Sequence, residues 1–93
     1  KRDNMNDIEL LRKQISEVDA EIINLIALRQ QISKRIGEYK KEHNLPVLDV
    51  AREALLHEFH SMKSIEHGIS PELTTKVFDV LIEESRKVQK YEQ

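Results

Sequence analysis

The sequence predicts an all-α fold of three helices, one very long and two shorter. Three observations carry that expectation. Two Gly and two Pro among 93 residues leave room for few, long elements. From Ile8 to Tyr39, apolar residues recur at helical spacing. Two further segments each bring their own start and stop signals. At 93 residues, positions 1–93 form a single domain, since independent domains commonly run to about 100–150 residues.

The first helix is expected from Asp7 to about Glu42. Its apolar positions are Ile8, Leu11, Ile15, Val18, Ile22, Leu25, Ile32, Ile36 and Tyr39, at spacings of 3, 4, 3, 4, 3, 7, 4 and 3. This is an a/d heptad stripe in which one slot, position 29, holds arginine. Asp7 is the expected N-cap, and Glu9 in the first turn suits the helix dipole. Gly37 weakens the helix without ending it, and the pattern stops near His43–Asn44, two residues before Pro46. The second helix is expected to start from Asp49 as N-cap, after the extended Leu45-Pro46-Val47 segment. Val50, Ala51, Ala54, Leu55, Phe59 and Met62 follow at helical spacing, and Gly68 is the natural left-handed terminator. The third opens at Ser70-Pro71-Glu72 as cap, first-turn proline and first-turn acid, and runs to about Tyr91. Lys1–Met5 are expected outside the folded body, as disordered residues, a cloning remnant or the tail of an upstream segment.

The first helix is too long for a compact monomer. About 36 residues at 1.5 Å each span roughly 54 Å. A compact chain of this length has a radius of gyration near ~12 Å. The shorter helices would cover the stripe only loosely. Pairing two long helices removes the exposure, so an intertwined helical homodimer is expected.

Charge and composition exclude several functions. Lys and Arg number 15 against 17 Asp and Glu, with no block of like charge, which argues against a nucleic-acid or membrane-surface role. The longest apolar run, Leu25–Leu28, is four residues, far from the roughly 20 of a spanning helix. No signal peptide is visible, and zero Cys removes disulfides and thiolate chemistry. The expectation is a soluble, cytoplasmic protein. His57 and His60, three apart with Glu53 nearby, lack any metal-site spacing, so no metal is expected. No Gly-rich phosphate loop and no Ser–His–acid signature exists.

Polar residues then stand where apolar ones belong. Arg29 on the seam either pairs with a glutamate or snorkels, or else it awaits an anion, since guanidinium grips carboxylate in a fixed fork. Lys40 lies eleven residues later, close to three turns, on nearly the same face and about 16 Å along the axis. Between them the two could hold a small molecule; taken alone, Lys40 reads as a solvated helix end near the C-terminus, favoured by the dipole. Arg12 cannot join them on its own helix, but the partner's Arg12 can in an antiparallel dimer. On the third helix Phe78, Ile82, Ser85 and Gln89 share one face whose last two members are polar. Asp49, Arg52 and Glu53 cluster where the second helix begins, as capping and surface charge or as part of a site.

Taken as a set, these residues resemble the all-helical, type II class of chorismate mutases in its dimeric bacterial and archaeal form, from Ile8 to Tyr91. The segments that carry the resemblance are Leu11-Arg12-Lys13-Gln14-Ile15 with Val18-Asp19, Leu28-Arg29-Gln30, Gly37-Glu38-Tyr39-Lys40, Pro46-Val47-Leu48-Asp49 with Arg52-Glu53, and Ile82-Glu83-Glu84-Ser85 with Gln89. The resemblance implies a homodimer with two shared sites and the [3,3] rearrangement of chorismate to prephenate in aromatic amino acid biosynthesis. By matching position it implies Arg29 and the partner's Arg12 as carboxylate clamps, and Lys40 and Gln89 as donors to the breaking ether oxygen. Glu53 and the backbone at Asp49 would meet the ring hydroxyl, with Arg52 and Ser85 completing the lining. Arg29, Lys40, Gln89 and Glu53 would form the catalytic set.

The chemistry agrees with the residues. A pericyclic step needs no cofactor, metal, nucleophile or general base, but it needs a flexible dianion held in a compact conformer. It gains further from donors aimed at the oxygen that becomes negative as its C–O bond lengthens. Two other readings stay open: an isochorismate pyruvate lyase of the same fold, and a helical dimerisation module without a reaction. Excision from a longer enzyme of the shikimate pathway is also open, and no feedback site is expected within these residues.

Overall fold

A computed structural model of the chain describes residues 5–91, and all three elements are helices. Helix α1 spans Met5–Glu42, α2 Val50–Glu66 and α3 Pro71–Tyr91. Nothing in Met5-Asn6 breaks a helix, so α1 begins ahead of the expected cap. Asp7 is therefore a first-turn residue rather than the N-cap, a place where its carboxylate still faces the positive end of the helix. Met5 likewise belongs to α1; the expectation for Lys1–Asn4 lies outside the described residues.

The ends of α1 and α2 follow one mechanism. Asn44 takes a φ of 54°, the Leu45 N–H donates to the Lys40 carbonyl at 2.8 Å, and the Asn44 N–H donates to the Lys41 carbonyl at 3.3 Å. After α2, Gly68 takes a φ of 67°, with the Ile69 N–H on the Ser64 carbonyl at 2.8 Å and the Gly68 N–H on the Ile65 carbonyl at 3.1 Å. Both are Schellman closures, which need a left-handed residue just past the helix. Asn serves at the first because its short polar side chain tolerates that conformation. At the start of α2 the Asp49 carboxylate accepts the Arg52 backbone N–H at 3.0 Å, as a cap should.

Helix α3 lies along the C-terminal half of α1 and runs parallel to it. Arg29 meets Leu81, Ser33 meets Ser85 and Gly37 meets Gln89, a constant offset of 52 residues stepping by four. Such a step follows the i±4 row of each helix. Gly37 permits the closest approach, because a Cβ there would stand 2.8 Å from the Gln89 Cα. Helix α2 folds back on α3, pinned by the Ser64 hydroxyl, which donates to the His60 carbonyl at 2.7 Å and is hydrogen-bonded to Thr74 Oγ1 at 2.6 Å.

The molecule measures 64 × 25 × 15 Å with a radius of gyration of 17.8 Å, well above the ~12 Å of a compact chain this long. Residues 6–25 are exposed throughout, so α2 and α3 leave the first half of α1 largely uncovered. Leu11, Ile15 and Val18 are 59%, 63% and 55% exposed. Among the described residues no apolar side chain is buried; the buried side chains are Ser33, Ser64, Ser85 and Gln89. A single chain thus shows an inverted interior, polar inside and apolar outside. None of the helices is long and apolar enough to cross a membrane, among the described residues.

Candidate active site

The parallel α1–α3 seam carries a continuous hydrogen-bonded chain. Ser33 and Ser85 share a hydroxyl–hydroxyl bond between the helices. Gln89, one turn along α3, donates from Nε2 to Ser85 Oγ at 3.2 Å. The other end of that amide, Oε1, accepts from Lys40 Nζ at 2.7 Å, and Nζ also donates to the Val47 carbonyl at 2.8 Å. This chain fixes which way the Gln89 amide points. An ammonium has three hydrogens and an amide two. Among the described residues, Lys40 and Gln89 therefore each keep one donor for a ligand. Ser33, Ser85 and Gln89 are buried, so these groups are held in place rather than solvated.

A cavity of about 210 Å³ opens onto this chain. Lys40, Asp49, Arg52, Glu53, Ser85 and Gln89, all expected from sequence, line it together, on apolar walls from Ile36, Val47, Leu56 and Ile82. The α2 cap explains why the second cluster lies there: Asp49 and Arg52 occupy the first turn of α2, which points at the end of the seam. Sequence reasoning missed two contributors. Ser33 sits four residues after Arg29 and four before Gly37, on the row that faces α3. Arg86, three residues before Gln89, lines the cavity and places Nε 3.4 Å from Glu53 Oε2. The place of Ser33 between Arg29 and Gly37 on one helical row was a signal for the first; the sequence offered none for Arg86.

Arg29 and Arg12 stand elsewhere in the single chain. Arg29 is half-buried beside a separate apolar cleft of Ile22, Leu25, Ile26, Val77, Phe78 and Leu81. Its guanidinium donates to the Leu81 carbonyl at 3.3 Å and lies 5.9 Å from the Phe78 ring centroid. No carboxylate neutralises it among the described residues; burial lowers its pKa, yet guanidinium stays charged. His60 stacks on the same Phe78 ring, with 3.9 Å between centroids. Desolvation first, then the charges of Arg29, His57 and Arg52, lower the His60 pKa, so its ring is neutral at pH 7. Arg12 is exposed on the free half of α1 and pairs with Glu9 at 3.0 Å. It lies 28 residues from Lys40, about 42 Å along the helix, and cannot reach the cavity of its own chain.

The arrangement can bind a small anion and donate hydrogen bonds within it. Lys40, Arg52 and Arg86 outnumber the carboxylates Asp49 and Glu53, one of which caps α2 while the other is paired. The volume is below the roughly 300–1,000 Å³ of sites for drug-sized ligands, so the ligand is compact.

The comparisons agree with this chemistry. A model of the chorismate mutase type II family matches residues 11–90. The chorismate mutase of Methanocaldococcus jannaschii is 32% identical over 80 residues, which cover 86% of this chain and 81% of that protein. A 4-amino-4-deoxychorismate mutase of Streptomyces pristinaespiralis is 29% identical over 88% of this chain, which spans 64% of that relative. In structure, a conserved hypothetical protein from Pyrococcus furiosus superimposes with a TM-score of 0.70 at 32% identity, covering 92% of this chain and 99% of that one. On the family match, the shared helical architecture and the cationic cavity at the α1–α3 seam, the chain belongs to the type II chorismate mutase family.

Proposed function

We propose that this domain converts chorismate to prephenate in two shared sites of a homodimer. The observation that carries this reading is the Lys40–Gln89 pair, held rigid from Ser33 to Val47 with spare donors at a small cationic cavity. Chorismate has two carboxylates, one ether oxygen and one ring hydroxyl. Arg29, one turn before Ser33 on the same seam, and the partner's Arg12 clamp the carboxylates and hold the enolpyruvyl arm over the ring, with Arg52 completing the lining. Lys40 and Gln89 donate to the ether oxygen, whose negative charge grows as its C–O bond breaks and the new C–C bond forms. Glu53 and the Asp49 backbone take the hydroxyl, and Ser85 holds the Gln89 amide. Relatives that act on a 4-amino substrate share the family, so the ring substituent is a point of choice; this chain is assigned chorismate.

The dimer follows from the exposed stripe. With no buried apolar side chain among the described residues, one chain lacks the hydrophobic burial that dominates folding. A second copy laid along α1 supplies that burial and brings its own Arg12 toward the cavity. The absence of Cys fits a cytoplasmic location.

Loss of chorismate absorbance, with prephenate identified as product, tests the activity. Lys40→Ala should lower kcat by about 10²–10³-fold, the usual cost of one donor to a developing oxyanion. Salicylate and pyruvate from isochorismate, without prephenate from chorismate, would mean a lyase instead. A dianionic mimic of the transition state should raise the Tm as it saturates the site, whereas a bare dimerisation module gives no shift.

A further inference from the structure

The sequence did not mark Arg86, and nothing in the reaction as derived uses it. It lines the cavity from α3, with its Nε 3.4 Å from Glu53 Oε2. That Nε is buried and has no hydrogen-bond partner among the described residues. Its charge partner is Glu53, so the guanidinium and the carboxylate meet a ligand in the cavity as a pair whose hydrogen bonding is incomplete without one.

Chemical complementarity says which acceptor. The carboxylates and ether oxygen of chorismate can only accept hydrogen bonds; its ring hydroxyl is the one donor. The cavity offers donors from Lys40, Arg52, Arg86 and Gln89, and carboxylates only from Asp49 and Glu53. One Asp49 oxygen already accepts the Arg52 backbone N–H. The hydroxyl therefore donates to Glu53, and its oxygen then faces the Arg86 guanidinium paired with that carboxylate, whose N–H groups can donate to it. A hydroxyl does both at once, because it has a hydrogen and lone pairs. A protonated amine in that place has hydrogens and no lone pair, so it leaves the Arg86 N–H unmatched and sets two cations side by side.

Resting on the chorismate reading above, we propose that Arg86 is a specificity-determining residue: the Arg86–Glu53 pair selects a ring hydroxyl and rejects a ring ammonium. An unpaired Glu53 would do the reverse and attract the ammonium.

The test measures kcat/KM for chorismate and for 4-amino-4-deoxychorismate with the wild-type protein, Arg86→Gln, Arg86→Lys and Lys40→Ala. The wild type should favour chorismate. Arg86→Gln, which frees Glu53 and removes the cation, should move the ratio toward the amine by about tenfold or more, while Arg86→Lys retains most of the preference. An Arg86→Gln ratio within about threefold of wild type overturns the proposal, even where Lys40→Ala abolishes turnover of both substrates and so upholds the site. If Lys40→Ala leaves both rates intact, the site reading falls and the proposal falls with it.

A second measurement needs no variant. In the wild type, the relative rate on the amine should climb from about pH 7 to about pH 10, as the ammonium loses its proton and comes to resemble a hydroxyl. Lys40 from α1 and Arg52 from α2, the other cations at the cavity, act on groups both substrates share and cancel in the ratio. Asp49 and Glu53 from the start of α2 are the acids that face it, and they too are common to both substrates. A flat ratio overturns the proposal.

Discussion

At the scale of single residues, Gln89 performs a task that depends on its being an amide. It is buried, its Oε1 receives Lys40 and its Nε2 points along the seam. An amide donates at any pH; a carboxyl donates only while protonated. Gln89→Leu, similar in size but without the donor, should cost about 10²–10³-fold in kcat. Gln89→Glu should do something more particular. Below the carboxyl pKa the acid form donates and activity is present; as pH rises through that pKa the carboxylate forms and activity is lost. Wild-type kcat should stay flat over the same range, and parallel pH–rate profiles check both statements. Gln89, Lys40 and Ser85 were legible in the sequence because polar residues on an otherwise apolar helical face are conspicuous. Arg86 was not, because one more charge near the end of a charged helix looks like a solvated surface residue. Only its distance from Glu53 and its orphaned N–H separate it from the many arginines that are no more than that.

At the scale of elements, the register of α3 on α1 decides whether the cavity exists. Gly37 sets that register. An added Cβ would stand 2.8 Å from the Gln89 Cα and 3.1 Å from its carbonyl oxygen, both backbone atoms that cannot rotate aside. Helix propensity favours Gly37→Ala by about 1 kcal/mol. Overpacking against backbone costs about 1–3 kcal/mol. The steric term wins, so Gly37→Ala should lower the Tm and also push Gln89 away from Lys40. A drop in kcat larger than the rise in KM is the expected signature, since the proposed donor pair moves while the proposed carboxylate clamps stay. Sequence rules found Gly68 as the left-handed terminator of α2 and placed the end of α1 near Asn44 from Pro46, but not the left-handed turn that Asn44 itself makes. They missed that Gly37 is a contact, since spacing along one helix says nothing about what its neighbour brings. They also set α1 two residues short: Asp7 has a capping side chain, but nothing before it prevented another half-turn.

At the scale of the whole molecule, the long heptad stripe was the most legible feature, and it remains uncovered in the single chain. Twenty residues of α1, 6–25, are exposed in the single chain. The same geometry leaves Arg12 about 42 Å along the helix from Lys40. If two copies pair along α1, each donates its Arg12 to the other's cavity and every site is built from both chains. That has a countable consequence. Arg12→Ala and Arg29→Ala should each be nearly inactive alone. Unfolded together in equal amounts and refolded, half of the dimers carry one subunit of each kind. Within such a dimer, one site receives both damaged residues and the other receives neither. One intact site in two, in half of the dimers, returns about a quarter of wild-type activity. Sites confined to one chain would return nothing, because every site would then keep one of the two lesions. Native mass spectrometry of the mixture establishes that mixed dimers have formed, so zero recovery beside a full complement of them refutes the shared site.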